Sequence, residues 1–231
     1  MLVDKGLYWT ARTIISLYIQ TMLKMNIENQ TEIPDGPKII AANHPSNTDA
    51  FYVAGMLPKR SYILITGKAF RIPVAGDCLR SLGHIPAQAG SGQEAVERSV
   101  ELLRQGETVV IFPEGGKSPF KGFQKPKTGV ARIALASGAP VIPMGIHIRT
   151  DPPLRYGIPR DCKEKHGGWY LRGPYNITIG KPLTFHGDPE DRTLVRNVAN
   201  IVMHTIMELA YQSKQRMTPV SPAFFRTSTE F

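Results

Sequence analysis

Two stretches of the chain gather side chains that do chemistry. In Asn43-His44-Pro45-Ser46-Asn47-Thr48-Asp49 a histidine is followed five positions later by an aspartate. An aspartate that accepts the Nδ1 proton of an imidazole leaves Nε2 free, and a base held this way removes the proton from an alcohol as it attacks a carbonyl. The second stretch is Pro113-Glu114-Gly115-Gly116-Lys117-Ser118-Pro119, a carboxylate, two glycines, a cation and a hydroxyl in succession. Small residues let main-chain N–H groups approach an anion, and Lys117 adds charge. The plainer alternative is a Gly-rich turn with a solvated lysine. Against it, Gly115 to Thr150 holds six basic residues (Lys117, Lys121, Lys125, Lys127, Arg132 and Arg149) and no Asp or Glu. An anion site becomes credible.

Spacing alone does not choose the histidine, because His186 and Asp191 repeat the pattern. There Asp188 suits a helix N-cap, Pro189 the first helical position and the following acids the first turn, so Asp191 needs no chemical role. Ser46 to Asp49 also resembles a capping box. His44, however, directly follows an apolar run that reads as a buried strand, at the strand end where α/β sheets place their sites. Capping and catalysis are compatible in one aspartate. The chain has no G-x-S-x-G, so a triad with its own serine is not indicated. A His-Asp pair without a serine suits direct attack by a substrate hydroxyl on an activated acyl donor. His84 and His147 sit in strand-like runs and read as core histidines; Trp169 and Tyr170 are expected to pack on the sheet.

The elements that must position these residues follow from periodicity. Lys38–Ala42, Ser61–Thr66, Thr108–Phe112, Val141–Ile148 and Tyr175–Ile179 read as strands. Between them, Ala50–Leu57, a segment from Phe70 to Leu82 broken by Pro73 and Gly76, Gln93–Gln105 and Thr128–Ser137 read as helices, the last two closed by Gly106 and Gly138. Strands alternating with helices predict an α/β fold: a mixed, mostly parallel sheet flanked by helices on both faces. Leu7, Ala11, Ile14, Ile15, Tyr18, Met22 and Met25 recur at helical spacing and predict an N-terminal amphipathic helix. Its stripe either packs on the core or lies in a lipid interface, with Tyr8 and Trp9 at headgroup depth. The expected organisation is a helical, membrane-associating segment over 1–30, one catalytic domain over 31–213 and a tail over 214–231. Asp151–Gly168 reads as a surface excursion.

Composition narrows the partners. The 231 residues are 42% hydrophobic, enough for a core, and 28 Lys+Arg against 19 Asp+Glu give a net charge of +9. An anionic partner follows: a membrane surface, a phosphorylated substrate or nucleic acid. The basic residues are not interleaved with aromatics as single-strand binders require, so no nucleic acid is expected. Cys78 and Cys162 form no CxxC or Cys/His cluster, which signals neither a metal knuckle nor a disulfide and fits a reducing compartment. No signal peptide is read at the N-terminus. The charge-free run Thr13–Leu23 is too short for a spanning helix, which needs about 20 apolar residues.

From Lys38 to Ile148 the sequence resembles the glycerolipid acyltransferase family, which includes the lysophosphatidic acid acyltransferases. Four blocks match in order: Asn43 to Asp49; Gly67-Lys68-Ala69-Phe70-Arg71-Ile72-Pro73 with Leu82-Gly83-His84-Ile85-Pro86; Phe112-Pro113-Glu114-Gly115; and Val141-Ile142-Pro143-Met144. The resemblance implies that His44 is the general base, that Asp49 orients it, and that an acyl thioester of coenzyme A or acyl carrier protein donates to a lysophospholipid hydroxyl, without metal or other cofactor. It marks Lys68, Glu114, Gly115 and Ser118 for acceptor binding and places Pro143 near the acyl chain. Gly116, Lys117 and Lys127 join them from the anion-site reading. The family usually carries Arg where Lys117 stands and Thr where Gly116 stands; a Lys attracts phosphate as a point charge without the bidentate fork. Lysophosphatidic acid, giving phosphatidic acid, is the default acceptor that the resemblance implies, with a glycolipid, an amino-lipid or another lysophospholipid as the alternative. A non-catalytic basic module that binds membranes or nucleic acid is the alternative from another class. The implied location is peripheral, at the cytoplasmic face of a membrane.

Overall fold

The computed structural model describes residues 5–87, 92–119, 122–149, 155–156 and 168–217. In chain order the elements are α1 (Lys5–Met22), β1 (Leu23–Asn29), β2 (Lys38–Ala42), α2 (Asp49–Met56), β3 (Ser61–Thr66), a 3₁₀ turn (Ala69–Arg71), α3 (Ala75–Ser81), β4 (Ile85–Ala87), α4 (Gly92–Arg104), β5 (Thr108–Ile111), α5 (Gly129–Ser137), β6 (Val141–Ile148), β7 (Arg155–Tyr156), β8 (Trp169–Tyr170), β9 (Gly173–Ile179) and α6 (Arg192–Gln215). Seven strands form one sheet in the order β1-β9-β6-β2-β5-β3-β4. Every neighbouring pair is parallel except β6 with β9. β7 and β8 form a separate antiparallel pair.

The central strands are buried on both faces, which is why they read as unbroken apolar runs. Ile39, Ala41, Val109 and Ile111 point into a core shared with α4, α5 and α6. Ile40, Ala42, Val110 and Phe112, one residue out of phase, point into the core under α1 and α2. Contact between β6 and α6 depends on Gly145: a Cβ there would lie 2.0 Å from the Ala210 nitrogen and 2.1 Å from the Leu209 carbonyl carbon. Ser213 fastens the same spot by donating its hydroxyl to the Gly145 carbonyl at 2.8 Å.

Several expectations are corrected. The N-terminal helix stops at Met22, and Leu23–Asn29, expected to be helical, is an edge strand parallel to β9, so the sheet reaches across the expected boundary at 30/31. α6 runs to Gln215, past the expected start of the tail. The α6 N-cap is Asp191, which accepts from the Thr193 and Leu194 N–H groups, whereas Asp188 accepts from Glu190 ahead of the helix. Asp191 thus has a structural role, though not the one its neighbours suggested. The broken segment after β3 divides into the 3₁₀ turn and α3, with Val74 between them at φ +65°. Tyr170 packs in the core as expected, but Trp169 is exposed. The larger part of the predicted excursion, 151–154 and 157–167, Cys162, Lys121 and residues 218–231 of the predicted tail lie outside the described residues.

The α1 stripe divides, and Tyr8, placed at headgroup depth in the lipid reading, is instead buried against the protein. Tyr8, Ile15 and Ile19 turn toward the protein, with Ile15 packed where Gly55 of α2 lacks a side chain. Trp9, Ile14 and Leu17 lie outward, 49%, 64% and 61% exposed. From Gly6 to Met22 Arg12 is the one charged residue. Its guanidinium donates to the Leu57 carbonyl and lies 5.4 Å from the Trp9 ring centre. From Gly6 to Met22 the outward face of α1 is therefore uncharged. No helix among the described residues is long and apolar enough to cross a membrane.

Candidate active site

The site lies where β2, β5 and β3 end side by side. Beyond Ala42, Asn43 adds a rung to the sheet with its side chain, donating to the Ile146 carbonyl at 2.9 Å and accepting its N–H at 2.7 Å. His44 follows as the first residue free of the ladder. Its ring stacks on Phe112, the residue after β5, with centroids 4.3 Å apart. Its Nδ1 lies 3.1 Å from Asp49 Oδ2, and the side chain keeps 18% of its surface open.

Asp49 is fully buried at the first position of α2. Oδ2 also accepts the Ser46 N–H at 2.6 Å, but Ser46 Oγ accepts the Thr48 N–H at 3.1 Å rather than that of Asp49; the N-cap is Thr48, without a side-chain cap bond, so only the return half of the expected capping box is made. Oδ1 accepts from the Tyr175 hydroxyl at 2.8 Å. Donors on both oxygens keep the carboxylate an acceptor toward Nδ1. The imidazole proton then sits on Nδ1, leaving Nε2 as the proton acceptor.

Glu114 and Ser118 grip the main chain of His44. The His44 N–H is shared between Glu114 Oε1 at 3.2 Å and Ser118 Oγ at 3.1 Å, and the Ser118 N–H donates to the His44 carbonyl at 2.8 Å. The Ser118 hydroxyl donates to Glu114 Oε1, and the Gln124 N–H occupies Oε2 at 2.8 Å. Both carboxylate oxygens are engaged, and Glu114 is 1% exposed. Glu114 and Ser118 therefore link the β5 turn to the β2 turn.

The remaining predicted site residues divide. Gly115 adopts φ +64°, and a Cβ on it would lie 2.4 Å from Lys127 Cδ, so the exposed Lys127 folds over this turn. Its own N–H donates to the Pro113 carbonyl at 2.7 Å. Gly116 faces the Gln124 amide, and Lys117 is half-buried two residues beyond Gly115. Lys68 is exposed two residues beyond β3, the strand next to β5. Arg132 leaves the group: it pairs with Glu190 at 3.2 Å, ahead of α6. Pro143 is buried inside β6, level with Ala41 and three residues short of His44. Lacking an N–H, Pro143 joins its neighbour just past β9 through its carbonyl alone, which accepts the Gly180 N–H at 2.9 Å. His84 is a core histidine, accepting the Ile63 N–H on Nδ1 at 3.2 Å; burial, aided by nearby Arg60, lowers its pKa to about 4.

Sequence reasoning missed Tyr175, Asn43 and Phe112. Asn43 and Phe112 flank the motifs and stood in the quoted blocks, but nothing in residue type separates an extra sheet rung or a ring platform from ordinary packing. Tyr175 lies 126 residues from Asp49 and carries no local signal.

An α/β sheet whose strand ends present a hydrogen-bonded His-Asp pair beside a cation-bearing glycine turn is the framework of an acyl-transfer enzyme. The match of residues 24–147 to the family model described as Acyltransferase makes this specific: it spans more than half of the chain, and the chain belongs to that acyltransferase family. The non-catalytic alternative is thereby set aside. Among curated relatives, a chloroplastic 1-acyl-sn-glycerol-3-phosphate acyltransferase of Arabidopsis thaliana is 29% identical over 80% of this chain and 50% of its own length. A 1-acyl-sn-glycerol-3-phosphate acyltransferase of Bacillus subtilis is 25% identical over 69% of this chain and 73% of its own, and a lyso-ornithine lipid O-acyltransferase of Pseudomonas aeruginosa 27% over 78% and 70%. The chain spans about half the length of the plant relatives and of one Pseudomonas aeruginosa 1-acyl-sn-glycerol-3-phosphate acyltransferase it matches. The fold is that of the 1-acyl-sn-glycerophosphate acyltransferase PlsC from Thermotoga maritima, with a TM-score of 0.62 at 20% identity over 93% of this chain and 84% of that one.

Proposed function

We propose that the protein transfers a fatty acyl group from an acyl thioester of coenzyme A or acyl carrier protein to the free hydroxyl of a lysophospholipid, with 1-acylglycerol-3-phosphate as acceptor and phosphatidic acid as product. The observation that carries this reading is the His44-Asp49 pair, held through Nδ1 so that Nε2 is left for the acceptor, and with its main chain clamped to the Glu114 turn. In the reaction, Nε2 takes the acceptor's hydroxyl proton as the oxygen attacks the thioester carbonyl. The C–O bond forms, the tetrahedral adduct collapses with loss of the C–S bond, and the imidazolium returns the proton to the departing thiolate. Products are an ester and a free thiol, and no further cofactor enters the balance.

The acceptor's phosphate is assigned to Lys117, Lys127 and Lys68, which follow β5 and β3 next to the histidine turn. In support, several curated relatives are named for 1-acyl-sn-glycerol-3-phosphate. The lyso-ornithine lipid relative favours a second reading, an amino-lipid acceptor. Purified protein given acyl-coenzyme A or acyl carrier protein thioester and a panel of lysolipids, with mass spectrometry of the products, tests the assignment. With a phosphate acceptor, Lys117→Glu should raise KM by about 10-fold or more, since a close charge reversal near the surface amounts to several kcal/mol before screening. An unchanged KM for lysophosphatidic acid would move the acceptor to the second reading.

A lipid acceptor has to be met at a surface, and the uncharged outward face of α1 supports peripheral docking. The +9 net charge supports association with the cytoplasmic leaflet, because anionic lipids there attract cations. Flotation with vesicles of zwitterionic and anionic phospholipid should show binding that Trp9→Ser, Ile14→Ser and Leu17→Ser together remove. Equal flotation of that triple variant rules out docking through α1.

A further inference from the structure

Asp49 can orient His44 only while the plane of its carboxylate keeps an oxygen facing Nδ1. That plane turns readily about the last bond, whose torsion is broad, and the Ser46 N–H holds only the oxygen beside the ring, so fixing the plane requires a hold on the other oxygen as well. That hold comes from β9. We propose that Tyr175 is a positioning residue of the acyl transfer: its hydroxyl fixes Asp49 Oδ1 and so keeps Oδ2 on the His44 ring. The inference rests on the His44-Asp49 reading above and adds a third member to it.

Four tyrosines cluster behind the pair. Tyr18 stacks on Tyr52 with centroids 6.1 Å apart, Tyr52 meets Tyr175 edge-on at 5.6 Å, and Tyr170 lies 6.2 Å from Tyr175. Three hydroxyls donate to main-chain carbonyls: Tyr18 to Leu171, Tyr52 to Tyr170 and Tyr170 to Pro174. These fasten loops. The Tyr175 hydroxyl instead donates to the buried carboxylate at 2.8 Å. Tyr175 is itself 0% exposed, so no solvent competes for that bond. Burial and the adjacent Asp49 charge push the phenol well above its ordinary range, so it remains a protonated donor. The ionisable groups around Asp49 are thus His44 from the β2 turn, Tyr175 from β9 and Tyr52 from α2. With Tyr175 and Ser46 donating, one to each oxygen, the carboxylate has a single orientation that serves the ring.

Tyr175→Phe removes one oxygen and keeps the ring. Steady-state kinetics on the full chain should show kcat lowered about tenfold, the size of losing one hydrogen bond to a charged group, with acceptor KM unchanged. Tyr52→Phe, which loses another buried hydroxyl from the same cluster, one bonded to the main chain, should keep the parent kcat. In an Asp49→Asn background Tyr175→Phe should cause no further loss, because the group it acts through is gone. Parent kcat in folded Tyr175→Phe overturns the proposal. So does a loss that recurs at full size in the Asp49→Asn background, or one equalled by Tyr52→Phe. If the phenylalanine variant does not fold, 3-fluorotyrosine at position 175 retains the shape with a stronger donor. The downfield proton resonance of the His44-Asp49 bond should then move, and an unmoved resonance counts against the inference. Activity persisting in His44→Ala and Asp49→Asn would instead sink the underlying dyad reading, so the two failures are distinct.

Discussion

His44→Ala should yield a folded protein whose acyl transfer falls by about three orders of magnitude, the contribution of a positioned general base. The fold has little stake in this ring: it stands at the mouth of the sheet, 18% exposed and stacked on one face of Phe112. The main-chain clamp to Glu114 and Ser118 uses His44 N–H and C=O, which alanine retains. Thermal melting should therefore stay within a few degrees of the parent while product formation disappears. Asp49→Asn should follow the same pattern in activity, with a larger loss of stability. Asn presents an NH2 group to one of two oxygen positions that now receive donors from Ser46, His44 and Tyr175. Full turnover by soluble His44→Ala would remove the base from the mechanism.

The second large effect is on stability alone. Gly145→Ala should destabilise the protein by about 3 kcal/mol, a fall of roughly 10 °C in Tm, because the added methyl meets the α6 backbone rather than a side chain that could turn away. Relief requires α6 to slide off β6, which also breaks the Ser213 bond to the Gly145 carbonyl and strains those from Asn176 and Arg216 at the helix end. The measurement is a thermal melt, and an unchanged Tm would show that the helix seats differently.

How much of this was legible in the sequence depends on how local each feature is. Strands buried on both faces announce themselves, and Ser61–Thr66 and Val141–Ile148 were read to the residue. The edge strand β1 was not, since Leu23-Lys24-Met25-Asn26-Ile27-Glu28-Asn29 continues an amphipathic pattern and only its pairing with β9 makes it extended. The His44-Asp49 contact was readable because only five positions of chain separate the two, although the capping box expected there gives way to a turn in which the Ser46 N–H meets Asp49 Oδ2. Lys127 lies over Gly115 as a neighbour on one loop. The roles of Glu114 and Ser118 were not readable: a Glu-Gly-Gly-Lys-Ser turn suggests ligand binding, and only the placement of β5 beside β2 turns its carboxylate onto the histidine's main chain. Arg132 belonged to the basic stretch in sequence but faces Glu190 in space.

The bonds that set up the His44-Asp49 pair join residues 70 and 126 positions apart. Contacts of that separation close only after the chain between them has found its topology. A refolding intermediate with β2 and α2 in place, but with β5 or β9 undocked, would have the histidine and the aspartate yet neither clamp nor brace. Recovery of turnover during refolding would therefore trail recovery of secondary structure, and the rate of acyl transfer reports the completion of the sheet from β5 to β9.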